Sequence, residues 1–347
     1  MPDPLQQEAA GAEVVLGCRD LARCQEFFAG LGFRLVSIFP ADAPRSVVMA
    51  GFGLRVALQR GDVDGGGHLR VPAAAAGERF APNGARIEFV ARSAPPSVAP
   101  AAFAIWRGGE AGFVPGRAGM LYQDLIPGRQ GGAWIGSRIR IERGGPVPDY
   151  VHWHDVQMQV LHCLRGEVRV VYEDQGPPFA MRAGDTVLQP PGIRHRVLAC
   201  SDGFEVLEVS SPAEHVTHVE HDLVLPTAVV RPERCFAGQR FVLHRAERAV
   251  WGAWRAPGWQ GADTGIGAAT GGTFAVRTVR GVSGAVATIA GSAGRTFWFV
   301  TRGTAALAGD EVHVLQQGSA CVLPPQLRCE LRATSADFAM LEVEAAT

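Results

Sequence analysis

The residues best equipped for chemistry lie in one stretch, Val151 to His195. His152-Trp153-His154 is followed by Gln159, and the run Pro190-Pro191-Gly192-Ile193-Arg194 delivers His195. On an extended strand alternate residues share a face, so His152 and His154 point the same way. Gly184-Asp185 reads as a turn, Thr186 to Gln189 as a strand, and Pro190-Pro191-Gly192 as a rigid turn that returns His195 toward the pair. Neutral imidazole is the commonest metal ligand, and three of them leave coordination positions open, as a catalytic centre requires and a closed structural centre does not. The expectation is one divalent transition metal gripped by residues from two β segments.

These residues resemble the cupin superfamily, whose first motif runs glycine, His-x-His, glutamate, glycine and whose second runs glycine, proline, glycine, histidine, asparagine. Gly184, Pro190, Gly192 and His195 fit the second motif in spacing, and Gly166 closes the first. Three positions depart: Gln159 stands where the family has a glutamate ligand, Ala199 where it has asparagine, and Gly145 lies one residue too far upstream. The resemblance implies a double-stranded β-barrel with iron, manganese, nickel or zinc at His152, His154 and His195. Gln159 is either a fourth, uncharged ligand or a hydrogen-bonding group inside the barrel. Without a protein anion to offset the ion, an anionic substrate or an O2-derived ligand is favoured on electrostatic grounds.

Composition narrows the field. The chain has 347 residues, 47% of them apolar, enough for two or three domains with real cores. A net charge of −1 with interspersed signs argues against nucleic acid or an anionic membrane surface as partner. There is no lysine, which excludes Schiff-base, pyridoxal-lysine and P-loop chemistry. Cys18, Cys24, Cys163, Cys200, Cys235, Cys321 and Cys329 are scattered without a C-x-x-C, so buried thiols in a reducing cytoplasm are expected. No signal-peptide pattern or membrane-length apolar run is present, and a cytoplasmic location is expected.

The elements that must position these residues fall into three parts: 1–110, 111–228 and 229–347. In the first, a strand from Glu13 to Cys18 precedes a helix capped by Asp20, with Leu21, Cys24, Phe27, Phe28 and Leu31 on one face. Strands near Phe33–Phe39, Ser46–Met49 and Leu54–Leu58 complete a βαβββ order. With Asp20-Leu21, Phe27-Phe28 and Leu31-Gly32-Phe33, this resembles one module of the vicinal oxygen chelate (glyoxalase-like) superfamily. Glu13 takes the slot of that family's early histidine and Gln59 lies near its later acidic ligand, so the module reads as a docking or dimerisation platform, or a cover for the barrel, ahead of a metal centre. Ala85–Val90 and Ala102–Trp106 could be strands of a decayed second module. Gly61–Asn83 reads as a loop, with His68 solvated within it.

From Gly112 onward short strands and Gly/Pro turns indicate an all-β barrel. The last third repeats it: Arg165-Gly166 aligns with Arg302-Gly303, the run ending in His195 with Pro324-Pro325-Gln326-Leu327-Arg328-Cys329, and Leu207-Glu208-Val209 with Leu341-Glu342-Val343. The metal positions of the second copy read Ile289, Gly291, Thr296 and Cys329, so that barrel is expected to be metal-free. The chain thus resembles a bicupin, mainly β, with one competent and one degenerate barrel, and the resemblance makes a homodimer the default. Gln157, Cys163 and Gln189 are candidates to line the substrate pocket, the first two by strand parity with Gln159. His215, His218 and His221, beside acidic residues, read as a solvated connector.

With little acid/base equipment near the ligands, the ion must supply the electrophilic power. The leading expectation is a dioxygenase acting on a small oxygenated or aromatic metabolite. A non-oxidative isomerase, decarboxylase or hydrolase is the second, and a non-catalytic metabolite-binding bicupin the third.

Overall fold

The computed structural model describes residues 12–51, 53–62, 65–73, 75–80, 86–91, 101–109, 112–290, 294–325 and 327–346. Gly291 and Gln326 therefore lie outside the described residues. The chain divides into two compact units: residues 1–97 with 216–220, and residues 98–215 with 221–347.

The first unit bears out the βαβββ order. Glu13–Cys18 pairs in parallel with Leu54–Arg60, which pairs with Ser46–Gly51, and that strand with Arg34–Phe39. The helix Leu21–Gly30 is capped by the Asp20 side chain, which accepts from the Arg23 N–H. Its apolar face is less buried than the spacing suggested: Leu21 is buried, whereas Phe27 and Leu31 are 64% and 51% exposed. Gly61–Asn83 is not a loop, because Gly65–Ala73 and Gly77–Phe80 are strands. Pairing supplies what local propensity lacks: Gly65–Ala73 joins Glu13–Cys18 on one side and Arg86–Ala91 on the other. At Gly67 a Cβ would already press on Leu16 and Val14, so glycine suits this close approach. His68 is correspondingly not a solvated loop residue; it sits on this strand with Nε2 3.0 Å from Glu88 Oε2.

The second unit holds two β-barrels, each a pair of facing sheets. In the first, His195–Cys200 pairs with His152–His154 and with Glu167–Tyr172, while the opposite sheet runs Thr186–Leu188, Met158–Arg165, Phe204–Ser211 and Ile135–Ile141. In the second, Phe274–Gly281, Ala339–Ala345, Thr296–Arg302 and Ala320–Leu323 face Val286–Ala290, Arg328–Ala333, Thr304–Ala308 and Val312–Gln316. The internal repeat is visible in register. Glu208 lies between Ser137 and Leu161, and Glu342 between Arg277 and Trp298.

Period-two alternation explains both cores. On Met158–Arg165 and Phe204–Ser211, Met158, Val160, Leu207 and Val209 face outward and meet Val276, Phe297, Leu341 and Val343 of the other barrel in one shared apolar layer. The alternate residues, such as Cys163 and Val206, fill the first barrel with Val168, Val170, Tyr172 and Met181. Strands are also exchanged. Ala104–Trp106 pairs with Ala320–Leu323 of the second barrel, so it is not part of a second N-terminal module. Val242–His244, which follows the connector, pairs with Thr186–Leu188 of the first barrel.

In the second barrel Ile289 lies opposite Cys329, both buried in an apolar cluster with Trp254, Trp259 and Trp298. Burial pushes the Cys329 thiol up to about 11, far from a nucleophilic thiolate. Among the described residues no helix is long and apolar enough to cross a membrane.

Candidate metal centre

His152 and His154 share a face of a three-residue strand, and His152 lies directly opposite His195. Gly184 and Gly192, both in the left-handed region (φ 92° and 74°), make the turns that return the chain to present His195. The three histidines are buried, and their ligand nitrogens lie within 4.8 Å of one another. The His152 and His195 ring centroids are 4.1 Å apart.

Hydrogen bonds fix the tautomers. His152 Nδ1 lies 2.8 Å from the Tyr150 carbonyl oxygen, and His195 Nδ1 lies 3.0 Å from that of Ile193. A carbonyl only accepts, so both Nδ1 atoms carry the proton and both Nε2 atoms present lone pairs. This is the arrangement in which a ligating histidine is held by its other nitrogen. Burial keeps the rings neutral: it pushes His195 down to about 4 and holds His152 and His154 well below the usual range, with Arg117 and neighbouring imidazoles adding to the effect on the last two. Three neutral, buried imidazoles, two of them oriented through Nδ1, fit a divalent transition metal.

Further groups complete the site. Gln189 Nε2 donates to Gln159 Oε1 at 2.6 Å and lies 3.0 Å from His195 Nε2, while Gln189 Oε1 accepts from Tyr172 OH at 3.0 Å. Gln159 and Gln189 therefore stand with the histidines. Gln157 does not: it precedes the strand Met158–Arg165 and is exposed, so the parity argument does not reach it. Cys163 faces the barrel interior but is packed among apolar side chains, and burial raises its thiol to about 12.

Sequence reasoning missed two neighbours. Arg117 donates from Nη1 to Asp149 Oδ1 at 2.7 Å, and its Nη2 lies 2.8 Å from His152 Nε2. Burial alone would raise the Asp149 carboxyl, yet His152, Arg117 and the Val197 N–H hold it down at about 2. Since His152 is neutral at pH 7, Arg117 is the lasting counter-charge. His215, expected to be solvated, is 8% exposed, with its ring edge-on to His154 at 5.3 Å. Arg194 lies over the Trp153 ring at 5.4 Å, in keeping with a structural role.

These burials set an acid limit. On the outward side of the facing sheet, burial pushes His162 down to about 4 as well, with His244 adding to the effect. A histidine with a depressed folded pKa contributes stability above its solution value near 6.5 and loses it as pH falls toward the folded value. For the metal-free protein, His162 and His195 together are expected to cost about 4 kcal/mol of stability between pH 7 and pH 5. Urea unfolding at the two pH values measures this; an unchanged midpoint would contradict neutral burial.

Residues 137–209 match the family model for the Cupin domain. This segment is a cupin domain. No curated protein sequence matches the chain. Among solved structures, the salicylate 1,2-dioxygenase of Pseudaminobacter salicylatoxidans is 20% identical with a TM-score of 0.54, covering 72% of this chain and 86% of that one. The same enzyme solved with gentisate gives 20% and 0.53, covering 72% and 82%. A mutant of the oxalate decarboxylase of Bacillus subtilis is 14% identical with a TM-score of 0.52, covering 70% and 77%. At such identities the likeness is one of fold. The matched segment contains the strands that carry His152, His154 and His195.

Proposed function

We propose that the cupin domain is the centre of a metal-dependent dioxygenase acting on a small oxygenated or aromatic metabolite that carries an acidic group. The observation that carries this reading is the donor set: three neutral imidazoles, an amide where a carboxylate ligand would stand, and the buried Arg117 guanidinium 2.8 Å from His152 Nε2. When bound, an iron, manganese, nickel or zinc ion supplies Lewis-acid chemistry, and the redox-active ones supply O2 activation. Asp149 holds Arg117 from behind through Nη1, leaving Nη2 directed at the ligand set. That charge favours an anionic group of the substrate. Tyr172 and Gln189 fix the Gln159 amide, and the apolar side chains of the barrel exclude water.

The test is to load metal-depleted protein anaerobically with each ion and to follow O2 uptake. Hydroxybenzoates should support it. Arg117→Gln should raise KM for carboxylated substrates about tenfold, the worth of one charge-assisted hydrogen bond. No uptake with any phenolic, thiol or β-diketone substrate would overturn the proposal. One observation favours a non-oxidative alternative such as decarboxylation or isomerisation. Glu208 is half-buried on the interior face of the barrel, accepts from Ser210 Oγ at 3.0 Å, and could exchange protons with a substrate. Turnover without O2 consumption would select it.

For the first unit, the reading is a glyoxalase-like module without its own metal centre. Its support is that Glu13 is bound by Arg55 and Arg70. Gln59 is also exposed and stands opposite Gly17, four positions along from Glu13 and about 13 Å away, too far to share an ion.

A further inference from the structure

A groove of about 1940 Å3 opens between the two barrels on the side away from their interiors. Its origin lies in the strands that build the shared apolar layer. Following the same faces past Leu207, Val160 and Val276, the alternation brings up Glu205, His162, Thr278 and Arg280, and on a neighbouring strand Arg140. Polar side chains cannot close the gap as the apolar ones do. Six arginines, Arg138, Arg140, Arg165, Arg255, Arg280 and Arg302, line it against two acids, Glu205 and Asp337. His162 and His244 also line it, with burial lowering the pKa of both.

The internal repeat gives this charge a pattern. In the first barrel Arg140 and Arg165 both pair in register with Glu205, forming a row Arg–Glu–Arg across three strands. At the equivalent place in the second barrel, Arg280 and Arg302 both pair with Ala339, a row Arg–Ala–Arg. Both rows lie beside the same kind of register shift, at Cys163/Arg165 and at Val300/Arg302. Arg140 and Arg280 are held alike. Arg140 lies 4.4 Å over the Phe113 ring and donates to Glu205 Oε1 at 2.8 Å; Arg280 lies 4.0 Å over the Trp251 ring and donates to Gln260 Oε1 at 2.8 Å. The central position of the first row is thus a carboxylate, held by Arg140 and by Arg138 Nη2 at 2.7 Å, and that of the second is a methyl group.

We propose that the groove is a second ligand site, in which the acidic group of a small organic carboxylate or phosphate ester sits over Ala339 beside the stacked Arg280, as the Glu205 carboxylate sits beside Arg140, with Arg302 across the strand adding its charge. A stacked guanidinium loses little freedom on binding an anion, and its planar fork matches either oxyanion. This site is separate from the histidine centre and does not depend on any metal.

Calorimetric titration of the full-length, metal-depleted protein with benzoate and with phenyl phosphate tests it, and the stronger of the two identifies the oxyanion preferred. One equivalent should bind, and the affinity should fall steeply with salt. Arg302→Gln should weaken binding about tenfold. Ala339→Glu should abolish it, because a protein carboxylate then fills the gap, while circular dichroism shows the fold retained. The variant His152→Ala/His154→Ala should bind as the parent does. Absence of saturable binding for both probes, undiminished binding in Ala339→Glu, or loss of binding in the double-histidine variant would each overturn the proposal.

Discussion

Replacing His154 by alanine is expected to remove stoichiometric binding of divalent transition metal, lowering affinity by more than about 100-fold, since even outer partners of ligating histidines are worth about 10–100-fold. The reason is geometric. His154 belongs to a set whose ligand nitrogens lie within 4.8 Å of one another, and no other such group occurs among the described residues. Turnover should fall with the metal. Gln159→Glu should act in the opposite sense, since a carboxylate adds charge to a donor set that has none, and Gln189 Nε2 already offers it a hydrogen bond. Elemental analysis after reconstitution and dialysis, with competition against a chromophoric chelator, measures both. If His154→Ala retained one tightly held ion per chain, the histidine centre would not be the metal site.

The second large effect concerns stability. Asp149→Ala is expected to destabilise the metal-free protein by about 3–5 kcal/mol, because it strands a buried guanidinium without its counter-charge. The Asp149 side chain has no exposure and that of Arg117 has 11%, so solvent offers little screening. The Val197 N–H would lose its acceptor as well. Arg117→Met combined with Asp149→Ala should recover part of the loss, since it removes both charges together. Denaturant unfolding of the single and double variants decides the matter. A single-variant loss below about 1 kcal/mol would mean that water reaches the pair.

The convergence of the three histidines was legible because alternation on a strand and a proline-glycine turn are both short-range signals. His152, His154 and His195 could be placed before any tertiary contact was known, and so could Gln159 and Gln189. The Arg117–Asp149 pair carried no such signal: 32 positions separate the two residues, and neither lies in a periodic segment. His215 was obscured by acidic neighbours that suggested solvent, although its burial against His154 is decided by packing from elsewhere. For Gln157 parity misled because the strand begins one residue later. The strand nature of Gly65–Ala73 was hidden for a related reason: its glycines weaken local propensity, and partners on both edges restore it.

The exchanged strands bear on how the molecule can be taken apart. Ala104–Trp106 completes the sheet of the barrel furthest from it in sequence, and Val242–His244 completes that of the earlier one. A scissor placed between the two barrels, near residue 228, would strip each of a border strand and leave raw hydrogen-bonding edges prone to aggregation. The smallest fragment that keeps every such border intact runs from before Ala104 to the C-terminal strand Ala339–Ala345, and genetic dissection of the two barrels must rely on point substitution instead of excision.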